Sequence, residues 1–131
     1  MGEIMKDQIV GTWLLERFLI ESPDGKTRDW GSNSRGQLIY TDSGHMCVSI
    51  NKDIESKSEQ EAQNIFDSIL FYSGTFSIEN ETIKHRVTNA SNPNRIGKEL
   101  IRFAKLDGKH LVLTSPEESF GRAILTWRKI A

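Results

Sequence analysis

Residues 72–87 read YSGTFSIENETIKHRV, two runs of strand length that are joined at Asn80. Apolar and polar side chains alternate along both runs, which is the pattern of a β-hairpin with one buried face and one solvated face. Tyr72 and Phe76 fall on the buried face of the first run, and His85 falls on that of the second. The alternation therefore predicts a histidine that points into the core of a β-sheet protein.

Turn-forming residues recur at short intervals on both sides of this hairpin, and the runs between them are rich in β-branched and aromatic residues. One segment departs from the pattern, because Ser58 and Glu61 form a capping box and apolar residues then recur at helical spacing. We expect a mainly β fold, an antiparallel up-and-down β-barrel of 8–9 strands with one short amphipathic helix at about residues 59–69. The predicted strands lie near residues 11–21, 26–30, 37–41, 45–51, 71–79, 82–90, 98–106, 109–115 and 120–129.

Length, charge and cysteine content limit the classes of protein to which the chain can belong. A chain of 131 residues fits one domain, residues 1–131, and its formal net charge of -1 comes without a basic stretch rich in aromatics, so no nucleic-acid partner is expected. No apolar run approaches the roughly 18 residues that span a bilayer, which argues against membrane insertion. Cys47 is the only cysteine. A single thiol favours a reducing compartment, and we expect a cytoplasmic protein.

The alternation of side chains assigns further residues to the interior of the barrel. Met46 falls on the apolar face of the fourth strand, and Arg102 shares a face of the seventh strand with leucines and an alanine. A buried cation without a partner is costly, so we expect compensation by Tyr40 or Tyr72, by backbone carbonyls, by water or by an oxygen atom of a ligand. The two tyrosines, Phe76 and Met46 would line a cavity, although such residues also form ordinary protein core.

Several motifs, in their order along the chain, resemble the small bacterial and fungal lipocalin-like domain proteins. They include Gly11-Thr12-Trp13 at the start of the first strand, the stretch GQLIYTDSGHM at residues 36–46, the hairpin quoted above and Arg128 near the end of the last strand. The resemblance implies a compact barrel with a hydrophobic interior, and it supplies no agreed catalytic set. It also implies that Trp13 closes one end of the barrel and that Arg128 lies across its ring, where a cation–π contact is favourable.

These observations favour a binding protein that takes a small hydrophobic molecule with a polar or anionic head group. An eight-stranded barrel is just wide enough to hold one such molecule, and its head group would meet the inward arginine and histidine through charge-assisted hydrogen bonds. The predicted ligand-binding residues are Tyr40, Met46, Tyr72, Phe76, His85 and Arg102.

Two alternatives stay open at the level of sequence. The barrel could be an isomerase or cyclase that uses His85 as its acid-base catalyst, but no inward carboxylate is found to orient the imidazole, so catalysis is less favoured than binding. It could also be a structural or interaction barrel with a filled core, including a homodimer, that acts through an outward apolar patch. That patch would consist of Phe18, Ile20, Ile101 and Phe103. No metal or cofactor is expected, because His45 and His110 lack partners at ligand spacing.

Overall fold

The computed structural model describes residues 3–30, 33–52 and 69–131. These residues form a short helix, α1 (Lys6–Ile9), nine strands and a 3₁₀ turn (Pro93–Arg95). The strands are β1 (Gly11–Glu21), β2 (Thr27–Asp29), β3 (Arg35–Tyr40), β4 (His45–Asn51), β5 (Ile69–Glu79), β6 (Thr82–Ala90), β7 (Glu99–Asp107), β8 (His110–Thr114) and β9 (Arg122–Lys129).

The strands form a closed antiparallel barrel. From β3 onward each strand pairs with the next one along the chain, while β9 pairs with β1 and β1 pairs with β3, so the ring consists of β1 and β3 to β9. β2 pairs with the last residues of β1, from Leu19 to Glu21, as an additional strand. The predicted antiparallel barrel is confirmed. The predicted helix at residues 59–69 lies outside the described residues, except that Ile69 begins β5.

The inward faces predicted from alternation are the buried faces of β4, β6 and β8. Successive side chains of a strand point to opposite sides of the sheet, so a ring of strands sends every second side chain into one common core. The buried side chains on these three strands are Met46, Val48, Ile50, Ile83, His85, Val87, Leu111 and Leu113.

One end of the barrel is closed by the residues around α1, and we call it the closed end. The indole Nε1 of Trp13 donates a hydrogen bond of 2.9 Å to the carbonyl of Ile9, the last residue of α1. The amide of Ile4 donates a hydrogen bond of 2.8 Å to the carbonyl of Asn80, in the turn between β5 and β6. Because β1 and this turn lie on opposite sides of the ring, α1 is held across the end of the barrel. The side chains of Ile4, Ile9 and Trp13 are all buried at this end of the barrel.

The prediction that Arg128 lies across the ring of Trp13 is wrong. β1 and β9 pair so that Trp13 stands opposite Lys129, and directly opposed residues point to the same side of a sheet. The Nζ atom of Lys129 is 5.7 Å from the centroid of the Trp13 ring. Arg128 points outward, where its Nε atom lies 3.1 Å from Oε1 of Glu16. A cation does cover the tryptophan, but it comes from the neighbouring residue.

β1 contains a β-bulge that changes which of its side chains face inward. The register with β9 shifts by one residue between Leu15 and Arg17, which makes Glu16 an extra residue. An extra residue reverses the inward and outward faces beyond it. Phe18 and Ile20 are therefore buried, at 7% and 6% exposure. The prediction that these two residues belong to an outward apolar patch is wrong.

Two glycines allow backbone segments to approach each other closely. A Cβ atom at Gly74 would collide with the carbonyl of Arg86, next to a register shift between β5 and β6. A Cβ atom at Gly11 would collide with the carbonyl of Ala131. Glycine at these positions therefore serves the packing of the backbone.

Candidate functional site

The end of the barrel opposite α1 contains a cavity of about 700 Å³. The inward faces of the strands form its wall, together with residues of β2, of the β6–β7 loop and of the β8–β9 loop. Apolar side chains predominate in this wall, since the core face of the strands continues into it. The apolar lining consists of Phe18, Ile20, Trp30, Leu38, Val48, Ile50, Leu70, Leu100, Leu113, Pro116, Phe120, Ala123, Leu125 and Trp127.

A buried cluster of Tyr40, Tyr72 and His85, which we call the Tyr–His–Tyr cluster, interrupts the apolar core. The hydroxyl oxygen of Tyr40 lies 2.6 Å from Nε2 of His85, and that of Tyr72 lies 2.7 Å from Nδ1 of the same ring. All three side chains are buried. Tyr72 and His85 contribute to the cavity wall. The cluster therefore presents one hydroxyl and one imidazole edge to the cavity and keeps Tyr40 behind them.

Burial keeps His85 in its neutral form. Removal from water, together with the smaller effect of the positive charge of Arg102, lowers the pKa of His85 to about 3. Both ring nitrogens are already hydrogen-bonded to tyrosine hydroxyls. The imidazole therefore has neither a free nitrogen for a ligand nor a pKa suited to proton transfer near neutral pH.

Arg102 lies beside this cluster and also lines the cavity. Its Nη1 atom donates a hydrogen bond of 2.8 Å to the carbonyl of Ile101, which satisfies one of the five N–H groups of the guanidinium. Burial raises the pKa of Tyr72, while the positive charges of Arg102 and Arg95 act in the opposite direction. Arg102 is thus close enough to Tyr72 for the two side chains to act on one group in the cavity.

Positive charge is concentrated around the cavity. Within the described residues, the charged side chains of the lining are five cations and the single carboxylate of Glu118. None of the five forms a salt bridge with a carboxylate of the described residues, although Lys6, Arg17, Lys84 and Arg122 do so elsewhere. The five cations are Arg28, Lys52, Arg95, Lys98 and Arg102. The chain as a whole has a formal net charge of -1, so this positive charge is local to the cavity.

The structure separates the predicted ligand-binding residues into two groups. Tyr72, His85 and Arg102 line the cavity, as alternation along β5, β6 and β7 predicts. Tyr40, Met46 and Phe76 do not belong to the cavity wall and lie on the side of the closed end. The rings of Tyr40 and Phe76 pack edge to face with centroids 4.7 Å apart. Tyr40 thus has no direct contact with the cavity and is linked to it only by its hydrogen bond to His85, which lines the wall.

Several lining residues were missed by the sequence reasoning. Phe18 and Ile20 were placed on the wrong face because the bulge at Glu16 leaves no signature in residue type. Trp30 stacks on Phe18 with ring centroids 4.8 Å apart, and Nζ of Lys52 lies 4.7 Å from the centroid of Trp30. Trp30 and Lys52 come directly after the ends of β2 and β4, where the alternation of inward and outward side chains no longer applies. An aromatic and a basic side chain next to the ends of predicted strands were the only features of the sequence that could have indicated these two lining residues.

Two features are absent from the described residues. In residues 3–30, 33–52 and 69–131 no group of three or more His, Cys, Asp or Glu side chains could hold a metal ion. Over the same residues, no helix is long and apolar enough to cross a membrane.

Fold and site together define a β-barrel that is closed at one end and holds an internal cavity with a buried polar cluster. The chain belongs to the lipocalin-like domain family, whose model matches residues 10–130. This match confirms the resemblance seen in the sequence motifs. The comparison with curated proteins finds no match.

Several solved structures match this chain at low sequence identity. A redesigned β-barrel is similar over 96% of this chain and 95% of its own length, with 13% identity and a TM-score of 0.52. Fatty-acid-binding protein 1 of Echinococcus granulosus covers 95% of this chain and 99% of its own, with 16% identity and a TM-score of 0.47. The fluorescent protein UnaG covers 96% of this chain and 100% of its own, with 15% identity and a TM-score of 0.47. Likeness at this level concerns the fold alone.

Proposed function

We propose that the protein binds a small hydrophobic molecule with a polar, most favourably anionic, head group. The observation that supports this proposal is the cavity of about 700 Å³, which has mainly apolar walls and Arg102 beside a buried hydroxyl. Small-molecule sites usually occupy about 300 to 1,000 Å³ and combine apolar walls with a few polar groups. An apolar molecule in this space would gain the free energy of removing its surface from water.

Arg102 is the group that the head group would contact. A carboxylate near its guanidinium would form charge-assisted hydrogen bonds, and these would offset the cost of holding a half-buried cation without a carboxylate partner. Four further cations around the cavity would attract an anion toward it. They are Arg28, Lys52, Arg95 and Lys98.

Tyr72 is the second proposed contact, and it takes the part that the sequence analysis gave to His85. The imidazole has both nitrogens engaged by tyrosines, so a ligand oxygen would have to break an existing hydrogen bond to reach it. The hydroxyl of Tyr72 can bind a ligand while it keeps its hydrogen bond to His85. His85 would then support the site without touching the ligand.

The geometry favours binding over the catalytic alternative. An isomerase or cyclase of the kind considered above needs a base whose pKa lies near the working pH. The pKa of His85 is lowered to about 3, and burial raises the pKa of Tyr72 above its ordinary value. Neither group is therefore suited to take up or release a proton near neutral pH.

The alternative of a filled barrel is disfavoured by the volume of the cavity. Of its outward patch, Phe103 is exposed and Ile101 is half-buried, both on β7, whereas Phe18 and Ile20 line the cavity. Two neighbouring apolar side chains form a much smaller patch than the few hundred Å² that mark an interface. A homodimer and a cytoplasmic location stay proposals of the sequence analysis, the latter resting on the single cysteine, Cys47.

Titration of the protein with a fluorescent fatty acid tests the proposal. We expect saturable binding by the wild-type protein and a loss of affinity of about tenfold or more in Arg102→Leu, because a charge-assisted hydrogen bond disappears. Arg86→Leu is the matched control. It removes the same charge from an exposed position of β6, next to His85, and should leave the affinity unchanged.

Two results would contradict the proposal. The first is the absence of saturable binding to wild-type protein for fatty acids of any chain length. The second is an Arg102→Leu variant that is more stable than wild type and binds the probe equally well, since Arg102 would then be only a costly element of the core.

A further inference from the structure

The hydrogen bonds of the Tyr–His–Tyr cluster have a direction. A neutral imidazole carries one N–H group, so one nitrogen of His85 donates a hydrogen bond and the other accepts one. Nε2 faces the hydroxyl of Tyr40 at 2.6 Å, and Nδ1 faces the hydroxyl of Tyr72 at 2.7 Å. Two arrangements are therefore possible, and they differ in which tyrosine keeps a hydroxyl hydrogen to offer elsewhere.

In the first arrangement Nε2 is protonated and donates to Tyr40. The hydroxyl hydrogen of Tyr40 then needs another acceptor, but Tyr40 is only 1% exposed, and its hydroxyl has no other hydrogen-bond partner among the described residues. Tyr40 also lies outside the cavity wall. This arrangement would leave a buried donor without an acceptor, which proteins rarely tolerate.

In the second arrangement Nδ1 is protonated and donates to the oxygen of Tyr72, while Tyr40 donates its hydroxyl hydrogen to Nε2. Every donor of the Tyr–His–Tyr cluster that is buried behind the cavity wall is then satisfied. The hydroxyl hydrogen of Tyr72 stays available, and Tyr72 faces the cavity. Burial and Arg102 keep the imidazole neutral, as this arrangement requires.

We propose that Tyr40 and His85 are positioning residues that make the Tyr72 hydroxyl a hydrogen-bond donor toward the cavity, so that the site selects ligands ending in an acceptor oxygen. This inference rests on the proposed binding function and extends it to the chemistry of the head group. Carboxylates and carbonyls fit the site, because both present oxygen lone pairs to Tyr72 and Arg102. Cationic head groups do not fit, since the positive charges of Arg102 and Arg95 already act on the Tyr72 hydroxyl.

Nitrogen NMR of His85 in the ligand-free protein tests the direction of the hydrogen bonds. In wild-type protein we expect the proton on Nδ1. In Tyr40→Phe, Nε2 loses the hydroxyl that fixes it as an acceptor, so we expect the proton to be distributed between the two nitrogens and the hydroxyl hydrogen of Tyr72 to lose its fixed direction. A wild-type imidazole protonated on Nε2, or on both nitrogens at neutral pH, would overturn the inference even if the protein binds fatty acids.

A double-mutant cycle tests the consequence for binding, with a saturated fatty acid and the methyl ketone of equal chain length as competing ligands. Tyr72→Phe should lower the affinity for both by about tenfold. Tyr40→Phe should lower it by a smaller factor although Tyr40 lies outside the cavity, because only part of the molecules then offer the Tyr72 hydrogen, and it should have no further effect in the Tyr72→Phe background. Loss of affinity for both ligands would support selection of any acceptor oxygen, whereas loss for the acid alone would overturn the inference that carbonyls fit the site.

Ile83→Val provides the control for a general disturbance of the core. Ile83 is buried on the same face of β6 as His85, has an aliphatic side chain that takes no part in the hydrogen bonds of the cluster and is not part of the cavity wall, so the affinity of the variant should equal that of wild type. Additive losses in the Tyr40→Phe and Tyr72→Phe variants would overturn the inference while leaving the proposed function intact. Failure of wild-type protein to bind either ligand would overturn the proposed function, and the NMR result would still decide the direction of the hydrogen bonds.

Discussion

His85 is a histidine held by two tyrosine hydroxyls instead of a carboxylate. A carboxylate would stabilise the imidazolium ion and raise the pKa of the ring, whereas neutral hydroxyls do not compensate for the loss of water. Arg102 adds repulsion to this effect. The side chain therefore acts as a fixed, neutral link between Tyr40 and Tyr72.

This neutral histidine should make the stability of the protein depend on pH. The pKa of His85 is near 6.5 in the unfolded chain and about 3 in the folded protein. Between these two pH values the unfolded state therefore binds more protons than the folded state. The free energy of unfolding should be fully maintained above pH 6.5 and should fall by up to about 1.4 kcal/mol per pH unit below it. Urea denaturation between about pH 7 and pH 5 measures this slope, before most carboxylates titrate.

His85→Gln is the control for the pH experiment. The variant retains His45 and His110, which are exposed or half-buried, and lacks only the buried imidazole. Its stability should vary less with pH than that of wild type over the same range. Equal slopes in the two proteins would show that His85 is not the group responsible.

Two buried tryptophans differ in how their indole N–H groups are satisfied. Nε1 of Trp13 donates to the carbonyl of Ile9 at 2.9 Å, whereas Nε1 of Trp127 is buried with no hydrogen-bond partner among the described residues. Trp13→Phe should therefore destabilise the protein by about 1 kcal/mol more than Trp127→Phe, because only the former breaks a hydrogen bond. Denaturant titration of the two variants gives the difference directly, and a larger loss in Trp127→Phe would refute this account.

At the scale of the elements, bulges and close backbone contacts shape the strands. β5 and β6 change register between Ser73 and Gly74, where the chain of β6 passes close to the glycine. An inward glycine in a strand can either leave space in a cavity or allow a close packing contact. The structure supports the second, because Gly74 meets the carbonyl of Arg86 and does not line the cavity.

Gly74→Ala should consequently destabilise the barrel without enlarging or filling its cavity. The added methyl group would overlap the Arg86 carbonyl and push β5 and β6 apart, which we expect to cost about 1 to 3 kcal/mol. Ser73→Ala, one residue away with no hydrogen bond from its own side chain among the described residues, should stay within about 0.5 kcal/mol of wild type. Thermal or urea unfolding distinguishes these outcomes, and a Gly74→Ala variant as stable as wild type would show that the strands separate freely.

At the scale of the whole molecule, most of the barrel could be predicted from the sequence because water and core impose alternation on each strand. Each strand begins and ends within two residues of its predicted position. His85 and Arg102 were placed inside for the same reason. The meeting of Tyr40 with His85 could not be predicted, since β3 and β6 are not neighbours and their relative height depends on the stagger of all the strands between them.

The remaining differences between expectation and structure also depend on register. Whether Arg128 or Lys129 covers Trp13 is decided by the pairing of β1 with β9. The five cations around the cavity come from β2, the residue after β4, the β6–β7 loop and β7, and no pattern within a single segment indicates that they converge. The neighbours of these side chains are therefore determined by the pairing of all the strands in the closed ring and cannot be read from any one strand.

The extra residue in β1 lets one strand contribute core side chains to both the closed end and the cavity end of the barrel. Before Glu16 the odd-numbered side chains of β1, such as Trp13, point inward at the closed end. After Glu16 the even-numbered side chains, Phe18 and Ile20, point inward and line the cavity. A change of even one residue in the length of β1 at the bulge would therefore alter which of its side chains point inward. Loss of one amino acid at that point would turn its second half inside out, whereas replacement of Glu16 by another residue would preserve the phase of the strand.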